Sequence, residues 1–167
     1  FTLARYEDPV YLACLDAWSG RIRWLTGYPA TQRRASNSPD QFRMRPVFWT
    51  NHPPVALADH LVVTPLDSDV MLVIERTTGR IVDANRKALQ SGYRHDVIGL
   101  SDSRFVVAGS QTLECVEVAG HGPGRVTLRP VWTFPEPIQR NNEIVGAVTL
   151  SDGQLFVPLR DELLVVD

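Results

Sequence analysis

Four carboxylates close four short apolar runs: Leu12-Ala13-Cys14-Leu15-Asp16, Met71-Leu72-Val73-Ile74-Glu75, Leu113-Glu114-Cys115-Val116-Glu117 and Leu163-Leu164-Val165-Val166-Asp167. A recurring acid suits two chemistries, oxygen ligation of a hard cation or acceptance of hydrogen bonds from the backbone N–H groups of a following turn. The turn role is the expectation here. Asp67-Ser68-Asp69 is an oxygen-rich turn of the kind that can hold calcium. No Gly or distal Glu follows it at EF-hand spacing, so it reads as a solvated hairpin turn. His52, His60, His95 and His121 show neither HxxxH nor HExxH spacing and are expected at the surface or in turns. Ser101, Ser110 and Ser151 lack the pattern of a nucleophile elbow. Gly120-His121-Gly122-Pro123-Gly124 has neither P-loop spacing nor its Lys-Ser/Thr, and Pro123 has no N–H to offer a phosphate; it reads as a loop insertion. No residue is therefore assigned to catalysis, cofactor binding or metal ligation.

Cys14 and Cys115 are the only thiols. Val73 and Val165 hold the same position in the other two runs, and a position shared by Cys and Val is a small buried apolar site. The two thiols belong to units separated by an intervening one. That is too far for the ~4.4–6.8 Å Cα separation of a disulfide.

The stretch with binding chemistry is the loop 29–51. Between Arg21 and Arg45 there are six Arg against Asp40 alone, a local balance of +5, and Phe42, Phe48 and Trp49 are interleaved. Arg with aromatic residues is the composition of interface hot spots, and loops on rigid scaffolds carry function. Arg33, Arg34, Phe42, Arg43, Arg45 and Trp49 form the candidate partner-binding loop, suited to an acidic protein, a sugar phosphate or a glycan.

These residues sit in a pattern of repeats. The four acids recur at intervals of 59, 42 and 50 residues (16 to 75, 75 to 117, 117 to 167). A second element precedes the last three: Val55-Ala56-Leu57-Ala58-Asp59, Ile98-Gly99-Leu100-Ser101-Asp102 and Val148-Thr149-Leu150-Ser151-Asp152, each a strand entering an Asp-headed turn. A second strand follows each turn. A third element follows the acid, where Asp16-Ala17-Trp18-Ser19-Gly20-Arg21-Ile22-Arg23-Trp24 matches Glu75-Arg76-Thr77-Thr78-Gly79-Arg80-Ile81-Val82-Asp83; the third copy is stretched by the insertion and runs on to Trp132. The unit is four strands joined by tight turns, and helical periodicity is nearly absent. A four-stranded unit repeating every ~40–50 residues is the signature of a propeller blade.

The chain has 167 residues, 44% hydrophobic and 22% charged, which suits a folded domain and excludes a disordered tail or coiled coil. A net charge of −2 argues against a nucleic-acid partner. No apolar run reaches the ~20 residues of a membrane span. Of the 17 basic residues only Lys87 is lysine, a skew better explained by a GC-rich genome than by function.

The run Leu15-Asp16-x-x-Ser19-Gly20-x-x-x-Trp24, with Ile74-Glu75-x-x-Thr78-Gly79, resembles the PQQ-like (pyrroloquinoline-quinone-like) repeat of the quinoprotein alcohol dehydrogenase-like superfamily. Its signature positions here are Asp16, Gly20, Trp24, Glu75, Gly79, Glu117 and Trp132. Asp83 stands where the family has Trp, and the third copy lacks the Thr-Gly pair. The resemblance implies propellers of two kinds: quinoprotein dehydrogenases, with PQQ at the ring centre, calcium beside it and an acidic general base, and cofactor-free relatives such as the propeller lipoprotein of bacterial outer-membrane assembly. Dehydrogenases often carry a vicinal disulfide, and this chain has no Cys-Cys pair.

The expected fold is all-β, a partial β-propeller of four-stranded antiparallel blades. It divides into a partial blade 1–28, the basic loop 29–51, a blade 52–92, a blade 93–140 and a partial blade 141–167. Strand counts of two, four, four and three make about three to three and a half blades of a seven- or eight-bladed ring, so the segment is expected to be an internal piece meeting the remaining blades of a longer chain. The expected function is a non-catalytic binding or scaffold module for a protein or an extended ligand, with no cofactor evident. The alternatives are a fragment of a PQQ- and calcium-dependent dehydrogenase and an extracytoplasmic sensor module. The family's habit implies a periplasmic or otherwise extracytoplasmic bacterial location.

Overall fold

The structure is a computed structural model that describes residues 10–28, 53–65, 70–85, 96–109, 111–120, 126–134, 138 and 142–167. Among them are thirteen strands and no helix. The first sheet pairs β1 (Val10–Leu15) with β2 (Ile22–Tyr28). The second runs in chain order through β3 (Val55–Ala56), β4 (His60–Val63), β5 (Met71–Glu75) and β6 (Ile81–Asn85). The third does the same with β7 (Asp96–Gly99), β8 (Arg104–Ala108), β9 (Leu113–Ala119) and β10 (Thr127–Thr133). The fourth holds β11 (Thr149–Ser151), β12 (Gln154–Pro158) and β13 (Leu163–Val166). Every pairing within the sheets is antiparallel between consecutive strands. The fold is all-β, and its sheets are propeller blades.

The run Met71–Ile74 is buried at every position, although a strand half-exposed to water would alternate. The reason is that each sheet is covered on both faces. Leu72 and Ile74 point back to the first sheet, where they meet Trp24, Leu12 and Cys14. Met71 and Val73 point forward to Phe105, Val107, Val116 and Val118 of the third sheet. Val106, Ala108, Leu113 and Cys115 point forward again, onto Leu155, Val157 and Val148 of the fourth. Three apolar clusters thus join four sheets in sequence, and the period of two decides which neighbour each residue meets.

The repeat extends to irregularities. The pairing register shifts between Cys14 and Leu15 in the first sheet and between Val73 and Ile74 in the second, the same repeat position. The shift places the following acid at the mouth of the turn. At that end of the second and third sheets the two turns are tied together: Arg76 N–H donates to Asp59 O at 2.9 Å, and Val118 N–H to Ser103 O at 2.8 Å. Ala58 N–H donates to Asp102 O at 2.9 Å and so links the second sheet to the third.

Candidate functional site

The turns after β1 and β5 show what the signature residues do. Asp16 Oδ1 accepts from Trp18 N–H (3.2 Å), Ser19 N–H (2.9 Å) and the Ser19 hydroxyl (2.9 Å), while Oδ2 takes Arg23 Nη2 at 2.7 Å. These donors, led by Ser19 N–H and then Arg23, hold the Asp16 carboxyl well below its ordinary value of 3.8. Glu75 meets its own turn through a side-chain hydroxyl, and Glu117 and Asp167 have partners on neighbouring strands. Glu75 accepts from the Thr78 hydroxyl at 2.5 Å. Glu117 lies between Arg129 and Arg104, which lower its pKa in that order. Asp167 accepts from Gln154 Nε2 at 2.5 Å. The physical reason is reach and turn length: Asp16 has the short side chain that can fold onto its own turn, whereas the third copy's turn is stretched and β8 and β10 bring arginines to Glu117 from both sides.

Trp24 acts across sheets. Its indole N–H donates to Arg76 O at 3.0 Å, and the Thr26 hydroxyl donates to Gly79 O at 2.5 Å. The ring lies directly on the Thr78-Gly79 turn: a Cβ on Gly79 would sit 2.6 Å from it. Gly79, at φ +75°, is required twice over, by the left-handed backbone and by the indole. Gly20, its counterpart, shares the conformation at φ +67°, but a Cβ there would meet nothing within 4 Å. Trp132 is Trp24's structural counterpart. Each pairs across its sheet with the cysteine of the preceding strand, Trp24 with Cys14 and Trp132 with Cys115, and Asp83 with Val73. Trp132 packs against the cluster shared with the fourth sheet.

Cys14 and Cys115 are free thiols in different clusters, and burial pushes the Cys115 thiol up. His60 departs from the surface placement expected of it. It opens β4, is buried, and pairs opposite Glu75, because the preceding turn folds back onto the sheet through Leu57 N–H and His60 O at 2.8 Å. His52, His95, His121, Ser110, the turn Asp67-Ser68-Asp69 and the loop residues Arg33, Arg34, Phe42, Arg43, Arg45 and Trp49 lie outside the described residues. Arg23, counted in the basic balance, is spent on Asp16. Among the described residues no three His, Cys, Asp or Glu side chains come together as a metal site.

Three residues escaped the sequence reasoning. Trp18 is 99% exposed while its backbone is pinned to Asp16. Thr26 could have been found by alternation, since it follows Trp24 by two and shares its face. Asp96 accepts from Val148 N–H at 3.1 Å and so ties the third sheet to the fourth, a contact without a local sequence signal.

The sign of the Asp16 effect is fixed by its lowered pKa. Its stabilising contribution is present above the unfolded-chain value near 4 and is lost as pH falls through the depressed folded value. Asp16→Asn removes that term, so the variant's stability falls less than the wild type's between pH 5 and pH 2. Urea melts across that range (about three units) check this; parallel acid limbs would contradict it.

No protein-family model matches the sequence, and no curated protein matches it. Among solved structures the chain is similar to BamB from Moraxella catarrhalis, with a TM-score of 0.62 and 17% identity over 94% of this chain. The chain spans 40% of the length of that protein. At this identity the likeness is one of fold, and it joins the four stacked sheets described here to a propeller.

Proposed function

We propose that this chain is a rigid, non-catalytic binding scaffold for a protein or an extended ligand. The observation that carries the reading is the division of labour between faces and turns. The facing surfaces of adjacent sheets are consumed by three inter-sheet clusters, while the turns that follow β1 and β5 are pinned by Asp16, Glu75 and backbone bonds. Stacked sheets of this kind present broad surfaces whose loops vary without cost to the core. The resemblance to the PQQ-like repeat supports the same reading through its cofactor-free members, as does the likeness to BamB. It also supports a location outside the bacterial cytoplasm. Among the described residues no helix is long and apolar enough to cross a membrane.

The loop 29–51 is the proposed contact surface, through Arg33, Arg34, Phe42, Arg43, Arg45 and Trp49. Arginine recognises carboxylates in a bidentate manner, and a basic patch speeds encounter with an acidic partner. The test uses a fluorescein-labelled oligoglutamate peptide as probe. The wild type binds it with an affinity that falls as salt rises, and the triple variant Arg33→Ala, Arg34→Ala, Arg43→Ala loses at least ~10-fold. Equal binding by both proteins would remove the loop from the proposal.

A further inference from the structure

Two guanidinium groups share one carboxylate in the third sheet. Arg104 lies opposite Glu117 across β8 and β9, and Arg129 lies opposite it across β9 and β10, so the three side chains form one row on one face. Arg104 Nε donates to Glu117 Oε1 at 3.2 Å, and Arg129 Nη2 donates to Glu117 Oε2. Among the described residues, Arg104 Nη1 and Nη2 and Arg129 Nε and Nη1 have no other partner. The two arginine side chains are 49% and 67% exposed, and the carboxylate between them 16%.

The repeat shows which arginine is surplus. Asp16 takes Arg23 and Glu75 takes Arg80, one arginine for each acid. Arg129 fills that role for Glu117. Arg104 holds a position that is His60 in the second sheet, opposite Glu75, and Gln154 in the fourth, where it donates to Asp167. The row therefore carries one positive charge in excess. Among the described residues Asp102, the nearest other acid along the strand, forms no ion pair with either guanidinium. Nor does the exposure of the row depend on the extent of the fourth sheet. Arg80, which matches Arg129, is 48% exposed although the four strands of the third sheet lie against its own sheet.

An external monocarboxylate offers these arginines only what the tethered Glu117 already offers. A phosphomonoester dianion has more charge and three acceptor oxygens, and it can accept from unused N–H groups of both arginines at once. We propose that this row is a binding site for the phosphoryl group of a phosphomonoester, held between Arg104 and Arg129. Glu117 keeps the two guanidinium groups side by side. The site uses none of the residues of the loop 29–51.

Phenyl phosphate and inorganic phosphate are the probes, at about pH 7.5, where both are mainly dianionic. Sodium chloride holds the ionic strength constant, and the backbone amide signals of Arg104, Glu117 and Arg129 are followed by NMR. Both probes are expected to shift these signals saturably, whereas acetate does not. Arg104→Gln, which copies the fourth sheet, weakens binding by about 10-fold or more. Glu117→Gln removes the carboxylate that repels the dianion and still accepts from one arginine, so binding tightens by about 3-fold or more. Arg23→Gln, a change in a row with a single arginine, leaves binding unaltered. The amide spectrum shows whether each variant is folded; if Glu117→Gln is not, Arg104→Gln decides. Absence of a saturable shift, an equal response to acetate, binding of inorganic phosphate alone, equal affinity in folded Arg104→Gln, or weaker binding by folded Glu117→Gln would each overturn the proposal.

Discussion

Gly79→Ala destabilises this fold by about 3 kcal/mol, while Gly20→Ala, the same change at the matching turn, costs about 1 kcal/mol. Both glycines have a positive φ, +75° and +67°, so the backbone penalty is shared. The surroundings differ. A methyl group on Gly79 would lie 2.6 Å from the Trp24 indole and 2.7 Å from Thr26 Oγ1, and something must move. The indole cannot retreat freely, because Arg76 O holds its N–H and the apolar cluster of the first two sheets holds its ring. Overpacking against a fixed ring costs ~1–3 kcal/mol beyond the backbone term. At Gly20 nothing stands within 4 Å, and the backbone term remains alone. Urea melts of the two variants read the difference directly. In the Trp24→Ala background the extra cost at Gly79 shrinks, since its main cause is gone; a double-mutant cycle measures that coupling. Equal costs at the two glycines would show that the indole does not govern this turn.

The contrast between these two glycines marks how far the sequence could be read. The strands were legible because short apolar runs, bounded by Asp, Thr-Gly and Ser-Gly, leave few alternatives to short antiparallel strands. The propeller followed from the recurrence of the acid, and the four stacked sheets have the order that recurrence implies. What one sheet does to the next was less legible. Gly20 and Gly79 look alike in sequence, and only the structure shows that one lies beneath an indole from the preceding sheet. The acids likewise share a position but not a partner: Asp16 bonds its turn, Glu117 two arginines, Asp167 a glutamine. Local pattern fixes where a side chain starts. Its partner depends on which strands are brought alongside, and that information is distributed across distant residues. His60 was misplaced for the same reason, since burial of a strand's first residue is decided by the neighbouring strand.

Phe105→Ala is expected to cost about 3–5 kcal/mol, the largest single loss at any described position. Its side chain is fully buried in the cluster that joins the second sheet to the third, among Met71, Val73, Val107 and Val116. Truncation removes the ring's burial energy and leaves a cavity walled by two sheets. The backbone ladders on either side resist collapse into it, Phe105 being paired to Gly99 on one strand and Val116 on the other. Phe134→Ala deletes the same ring at a half-buried site beside the last cluster, and about half that cost is expected. Phe105→Leu, which keeps most of the volume, should lose under ~1.5 kcal/mol. The location of the damage is as informative as its size. In a stack of sheets each unit is stabilised by its own ladders and by its neighbours, so a hole between the second and third sheets weakens one coupling and spares the others. Hydrogen exchange should therefore quicken most in β4, β5, β8 and β9, while the amides of β12 keep more of their protection through Leu155 and Val157. Uniform loss of protection across all four sheets would instead mean that the stack unfolds as a single cooperative unit, with inter-sheet packing too strong for any one interface to yield alone.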